Sequence, residues 1–289
     1  MSRIAYVDGR YLRLGAAAVP VEDRGLQLGD SVYEVCEVFA GALVDSGRHL
    51  DRLERSLASL EIAPPLPRPA LLAVAREVVT RNRVRDGLVY LQVTRGTATR
   101  DHAFPARSRP RLLVTARAFD RGAVEARAAR GVAVVTMPDT RWARVDIKTT
   151  NLLPNVLAKQ AARRAGAWEA WFVGGDGYVT EGASTNAWIV TAAGVAVTRP
   201  ADHAILRGIT RDVVMTACAA EGIGFAERPF TVAEAHGARE AFYTASTAGV
   251  MPVVTIDGRL IGDGEPGPLA RRLRVLYRRY SETGTPNPA

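Results

Sequence analysis

The chain has 289 residues, is 47% hydrophobic and 24% charged, and so excludes a disordered polymer while leaving room for one large domain or two ordinary ones. No apolar run approaches the roughly 20 residues of a membrane span, "MSRIAYVDGR" has no signal-peptide core, and Cys36 and Cys218 stand in no CxxC pair. A cytoplasmic protein with no disulfide framework is therefore expected. The net charge of +8 and pI near 10.0 raise the question of a polyanionic partner, but the arginines are scattered over what read as solvated helix faces, so neither nucleic acid nor a membrane is the expected partner.

In chain order, "IAYVDGRYLRLG" and "VCEVFAGALVDSG" each read as strand–turn–strand around Asp-Gly or Ala-Gly. "HLDRLERSLASL" puts Leu50, Leu53, Leu57 and Leu60 on one helical stripe, with Arg52 read as solvated. "PALLAVAREVVTRN" is a second helix, with Pro69 suited to its first turn. "GLVYLQVTRG" and "RLLVTARAF" read as neighbouring strands, and the small, polar "DRGAVEARAARG" as a linker. Beyond it come the strand "GVAVVTMPD", the segment "DIKTTNLLP", the helix "NVLAKQAARRAG" and the hairpins "EAWFVGGDGYVTEG" and "NAWIVTAAGVAVTR". The helix "TRDVVMTACAAEG", strands around "EAFYTAS" and the hairpin "VMPVVTIDGRLIG" follow. In "RRLRVLYRRY" and just before it, Leu269, Leu273, Leu276, Tyr277 and Tyr280 share one helical face, with the arginines on the other.

Strands and helices mix without strict βαβ alternation. The expected class is α+β in two domains: a small N-terminal α+β domain over 1–118, a linker over 119–131, and a larger C-terminal barrel-like β domain with surrounding helices over 132–289.

The sequence has no phosphate loop, no GxGxxG after a strand, no HExxH and no GxSxG. His49, His102, His203 and His236 show no ligand spacing with each other or with the cysteines, so no metal is expected. Three places could seat a phosphate. "ILRGITRDVV" opens a helix whose free N–H groups and Thr210 suit an anion, although Thr210 as a plain N-cap is the simpler reading. "TASTAG" is a hydroxyl-rich turn, and Arg52 is a cation. Only two of the 38 basic residues are lysines, Lys148 and Lys159. A lysine amine can lose its proton and form a Schiff base, which a guanidinium cannot do. Lys159 reads as an exposed helix lysine.

Taken together, "EDRGLQLGDSVYE", "HLDRL", "VTRGTATRDH", "DIKTTNLLPNVLAKQ", "VTEGASTN", "LRGITRDVV" and "STAGVMPV" resemble, in the same order, the motifs of fold type IV pyridoxal-phosphate enzymes. The resemblance runs over nearly the whole chain and is nearest to the D-amino acid transaminases of that group. It implies pyridoxal 5'-phosphate as cofactor, with Lys148 as the Schiff-base lysine and proton carrier and Glu181 as the carboxylate that keeps the pyridine nitrogen protonated. It also implies Arg52, Ile209, Thr210 and Thr247 at the phosphate, and Leu206 against the ring. Ala183 and Ala248 depart from the family's usual hydroxyls.

For the substrate, the resemblance implies that Tyr33, Arg100 and His102 bind the α-carboxylate, the last two reaching in from the neighbouring subunit of a homodimer. Arg100 and His102 alternate along what reads as an extended segment, and so point to one side. The implied reaction is transamination between a D-amino acid (D-alanine or D-glutamate) and a 2-oxo acid. Alternatives are a transaminase for (R)-amines or branched-chain L-amino acids, an aminodeoxychorismate lyase or, more remotely, a non-catalytic basic binding protein.

Overall fold

A computed structural model describes residues 3–283 of the chain, which divides into two compact units. The first comprises residues up to Arg121 together with Ile147–Asn151. Its elements are β1 (Ile4–Val7), β2 (Arg10–Arg13), α1 (Arg24–Leu28), β3 (Ser31–Phe39), β4 (Ala42–Leu43), α2 (Ser46–Ser59), α3 (Arg68–Arg81), β5 (Gly87–Thr94) and β6 (Arg111–Ala118). The strands form one sheet in the order β2-β1-β6-β5-β3-β4, antiparallel throughout. Along β3, Val32, Glu34, Cys36 and Val38 alternate onto one buried face, as a pleated strand requires. Val32, Cys36 and Val38 join Leu50, Leu53 and Leu57 of α2 and Leu71, Val78 and Val79 of α3 in one core. A glutamate on that apolar face needs partners of its own.

The second unit contains α4 (Arg121–Arg130, from Gly122 onward), β7 (Val132–Pro138), α5 (Leu153–Arg164), β8 (Glu169–Val173), β9 (Val179–Gly182), β10 (Asn186–Val190) and β11 (Ala196–Thr198). It continues with α6 (Ile209–Ala220), β12 (Phe225–Glu227), α7 (Val232–His236), β13 (Glu240–Ala245), β14 (Gly249–Ile256), β15 (Arg259–Leu260) and α8 (Pro268–Thr283). Its mixed sheet runs β12-β11-β10-β13-β14-β7-β8-β9 with β15 beside β14, and it curls until β9 approaches β10. The fold is therefore α+β, with a curled, barrel-like sheet flanked by helices in the C-terminal unit. On one side Trp171, Tyr243 and Met251 form a core, and on the other Trp188, Phe242, Leu273 and Tyr277 form a second beneath α6 and α8.

Two expectations change. The stretch read as a linker is mostly helix α4, ending at Gly131 (φ +72°). The lysine segment crosses back to the first unit, where Thr149 bridges Val32 of β3. Among the described residues no helix is long and apolar enough to cross a membrane, and no group of three or more His, Cys, Asp or Glu residues is placed to hold a metal ion. Most of the "TGTPNPA" tail lies outside the described residues.

Candidate active site

In the first unit Lys148 lies in irregular backbone laid against β3. The Tyr33 amide donates to the Lys148 carbonyl (2.9 Å), and the Thr150 amide donates to the Ser31 carbonyl (3.2 Å). The Lys148 Nζ stands 4.2 Å from the centroid of the Tyr33 ring. A cation over a phenol face is held by the ring's quadrupole. The other neighbour of that ring is Tyr90, stacked at 5.6 Å, whose hydroxyl is pushed up to about 12 by burial and then by Tyr33. Lys148 and Tyr33, singled out separately in the sequence, are thus brought together.

Helix α2 presents His49, Arg52, Leu53 and Ser56 on one buried face, at spacings of three, four and seven. Ser56 Oγ accepts from the Lys148 amide (3.4 Å). Arg52 is buried, not solvated. Its Nε and Nη2 donate to the two Glu34 oxygens at 2.7 and 2.8 Å, and His49 Nδ1 lies 2.7 Å from Glu34 Oε2. Burial alone would raise the Glu34 pKa, but the Arg52 charge and hydrogen bonds, with those of His49, bring it down to about 2. Burial lowers the pKa of His49 itself, against the pull of Glu34.

Arg100 and His102 are exposed on the loop between β5 and β6. The backbone bends at both residues, so the extended-strand argument for their common direction does not hold there. Neither side chain has a hydrogen-bond or ion-pair partner among the described residues, Tyr33 included.

In the second unit Glu181 is buried on β9. Its Oε1 accepts from Arg141 Nη1, and its Oε2 from Asn186 Nδ2 (3.0 Å) and the Leu206 amide (3.1 Å). Arg141 is gripped in turn by Asp139 through Nε (2.9 Å) and Nη2 (2.7 Å), and it donates to the Thr180 hydroxyl and the Ala204 carbonyl. Burial would weaken the guanidinium's hold on its proton, but Asp139 and Glu181 raise its pKa. Asn186 also donates to the Leu206 carbonyl (2.9 Å), so one amide fixes both Glu181 and the half-buried Leu206.

Gly208, not Thr210, is the N-cap of α6, and no side chain caps that end. The first-turn N–H groups of Ile209 and Thr210 therefore keep their donor capacity. A Cβ at Gly208 would collide with Asn186 Oδ1, so any larger residue there has to displace that side chain. The Thr210 hydroxyl lies 3.4 Å from the Tyr277 hydroxyl. Thr247 is exposed in the turn joining β13 to β14, and Arg274 Nη1 holds the neighbouring Ala248 carbonyl at 2.7 Å. Arg274 is thus a buried arginine on α8, contrary to its reading as solvated. Because Asn186 pairs with Thr244, Glu181's anchor and this turn belong to the same end of the sheet.

Residues 31–256 match the family model described as Amino-transferase class IV. The chain belongs to the class IV aminotransferase family. It is 42% identical over 271 residues to a D-alanine aminotransferase of Bacillus licheniformis, covering 94% of each chain. It is 37% identical to one of Staphylococcus haemolyticus, over 96% of this chain and 98% of that one. Among solved structures it resembles a T.th. branched-chain amino acid aminotransferase with pyridoxamine 5'-phosphate, with TM-score 0.90, 26% identity and coverage of 99% and 96%. A hypothetical aminotransferase from Mycobacterium tuberculosis in its PLP-bound form gives TM-score 0.83 at 25% identity, covering 98% of this chain and all of that one.

As a class IV aminotransferase the chain is an enzyme that uses pyridoxal phosphate and acts on amino and keto acids. The residues present fit such a group: an uncapped helix start and a hydroxyl turn for an anion, and a buried, restrained carboxylate for a cationic ring. Lys159 is no free surface amine, since its Nζ pairs with the buried Glu169 at 2.9 Å. Glu34, His49, Arg141 and Asn186 escaped the sequence reading. The available signals were a glutamate on an apolar strand face and a histidine three residues before Arg52.

Proposed function

We propose that this aminotransferase moves an amino group between a D-amino acid of the D-alanine type and a 2-oxo acid. The observation that carries the reading is the Lys148 amine standing over the Tyr33 ring. It is supported by two relatives named as D-alanine aminotransferases that match nearly end to end. Bound pyridoxal phosphate supplies the aldehyde and the electron-withdrawing ring that make a substrate α-proton removable. Lys148 provides the amine that holds the cofactor and then carries that proton, since lysine can exchange a proton near neutrality and arginine cannot. Glu181, held in place by Arg141 and Asn186, holds a proton on the ring nitrogen. Ile209, Thr210, Thr247 and Arg52 bind the phosphate, and Leu206 covers the ring. Tyr33, Arg100 and His102 bind the substrate carboxylate by charge-assisted hydrogen bonds. The working form is a cytoplasmic homodimer, with the active site at the subunit interface.

A second reading, a branched-chain L-amino acid transaminase, is favoured by the likeness to the T.th. enzyme. Adding D-alanine, L-leucine and an (R)-arylalkyl amine to separate samples of the yellow holoenzyme decides between them. Loss of the cofactor's visible band with D-alanine alone is the expected result. Loss with L-leucine alone, or with the amine alone, overturns the D-amino acid assignment.

A further inference from the structure

The motif "EDRGLQLGD" contributes no residue to the functions assigned above, yet its Arg24 and Asp30 meet Arg95 of "VTRGTATRDH" in a buried ion-pair cluster. Arg24 and Arg95 are each 3% exposed, and both direct Nε at the same Asp30 oxygen, at 2.8 and 2.7 Å. The remaining nitrogens of both arginines reach backbone. Arg24 Nη1 donates to the Asp101 carbonyl at 2.6 Å, and Nη2 to the His102 carbonyl at 3.4 Å. Arg95 donates to the Leu60 and Glu61 carbonyls just past the end of α2, at 2.6 and 3.1 Å, and its guanidinium lies 3.7 Å from the centroid of the Phe104 ring.

The base of this loop is closed as well. The Arg24 amide donates to the Gly96 carbonyl (2.9 Å), and the Arg95 amide to the Asp30 carbonyl (3.1 Å). A Cβ at Gly96 would collide with the Arg109 carbonyl, so the two ends of the loop touch at a glycine. Asp23 caps α1 through the Gly25 amide (2.9 Å) and accepts from the Thr94 hydroxyl (2.8 Å), which fixes where Arg24 starts its reach.

We infer that Arg24, Asp30 and Arg95 form a buried brace that positions Arg100 and His102 for binding the substrate carboxylate. This rests on the reading of those two residues as carboxylate ligands. The Asp101 carbonyl lies between them in sequence and the His102 carbonyl just after. A planar fork on both carbonyls turns the backbone inward while the Arg100 and His102 side chains remain exposed. Two arginines share one aspartate, so the three side chains of the brace together carry one net positive charge. A loop held only by its ends would spend binding energy on ordering itself.

The test uses the holoenzyme carrying Arg24→Lys, which keeps the charge and removes the fork. The expected result is a rise of about ten-fold in KM for D-alanine with kcat within about two-fold. Hydrogen exchange over residues 99–105 should speed up, while pyridoxal phosphate binds the apo variant as tightly as the wild type. On an Arg100→Ala background the same substitution should add little further to KM, because a positioning residue has lost most of what it positions. Unchanged exchange and KM in Arg24→Lys, beside a raised KM in Arg100→Ala, overturn the brace and leave the functional reading standing. An unchanged KM in Arg100→Ala overturns that reading instead, while faster exchange in Arg24→Lys still supports the brace. Should Arg24→Lys fail to fold, the exposed Phe104→Ala decides: faster exchange with raised KM supports the proposal, and unchanged values overturn it.

Discussion

Glu34 carries its charge where water does not reach, and Arg52 and His49 make that possible. Its pKa falls from 4.5 to about 2 on folding, so the unfolded chain binds more protons below pH 4.5 and stability falls as pH drops toward 2. The full contribution, about 3 kcal/mol, is present above pH 4.5. His49 acts in the same direction, because its folded value lies below the ordinary 6.5 and it resists protonation as pH falls through that region. Glu34→Gln should flatten the stability loss between pH 4.5 and 3 in urea unfolding of the apo protein. At pH 7 it should cost about 3–5 kcal/mol, because the buried Arg52 loses the carboxylate that balances its charge. A variant as stable as the wild type at pH 7 would show the pair to be dispensable. None of this was legible from "HLDRL", where an arginine on an amphipathic helix reads as solvated. Only the register of β3 against α2, a long-range pairing, puts a carboxylate within its reach.

At the scale of elements, Gly208 shows how tightly the end of the second unit's sheet is fitted to the start of α6. Its φ of −73° suits any residue, so the constraint is the approach of Asn186 alone. Gly208→Ala would push Asn186 off Glu181 and Leu206 without straining the helix. The expected outcome is cofactor affinity weakened about ten-fold or more with an unchanged melting curve, read by titrating the apo variant with pyridoxal phosphate. Equal affinity would remove Asn186 from the site. The hairpins at Asp-Gly and Ala-Gly and the amphipathic helices were readable because turn residues and apolar periodicity are local signals. Helix α4 was misread from its polarity, although alanine and arginine are strong helix formers and Gly131 follows the last turn. Lys148 could be named from its motif, but its place against β3 could not, because no local pattern encodes a bridge between Val32 and Thr149.

At the scale of the whole molecule, the surface of α5 is laid out against the usual rule. The helix buries Ala158 and Ala162, whereas Leu153, Val156 and Leu157 are 68%, 59% and 62% exposed. Those three stand at i, i+3 and i+4 and make one outward apolar stripe. A helix that packs inward through alanine and outward through leucine has a second surface to cover. Burying each of these side chains is worth about 1.5–3 kcal/mol, enough for a few substitutions to decide an association equilibrium. In the proposed homodimer the stripe is the expected subunit contact. Sedimentation of the wild type should then give twice 31.1 kDa, and Leu157→Glu should shift the boundary toward a single chain at micromolar concentration. The charge is the informative choice, because a glutamate left in a dry interface costs more than the leucine contributed. A wild type that sediments as one chain would remove the homodimer, and a Leu157→Glu variant that stays dimeric would move the contact off α5.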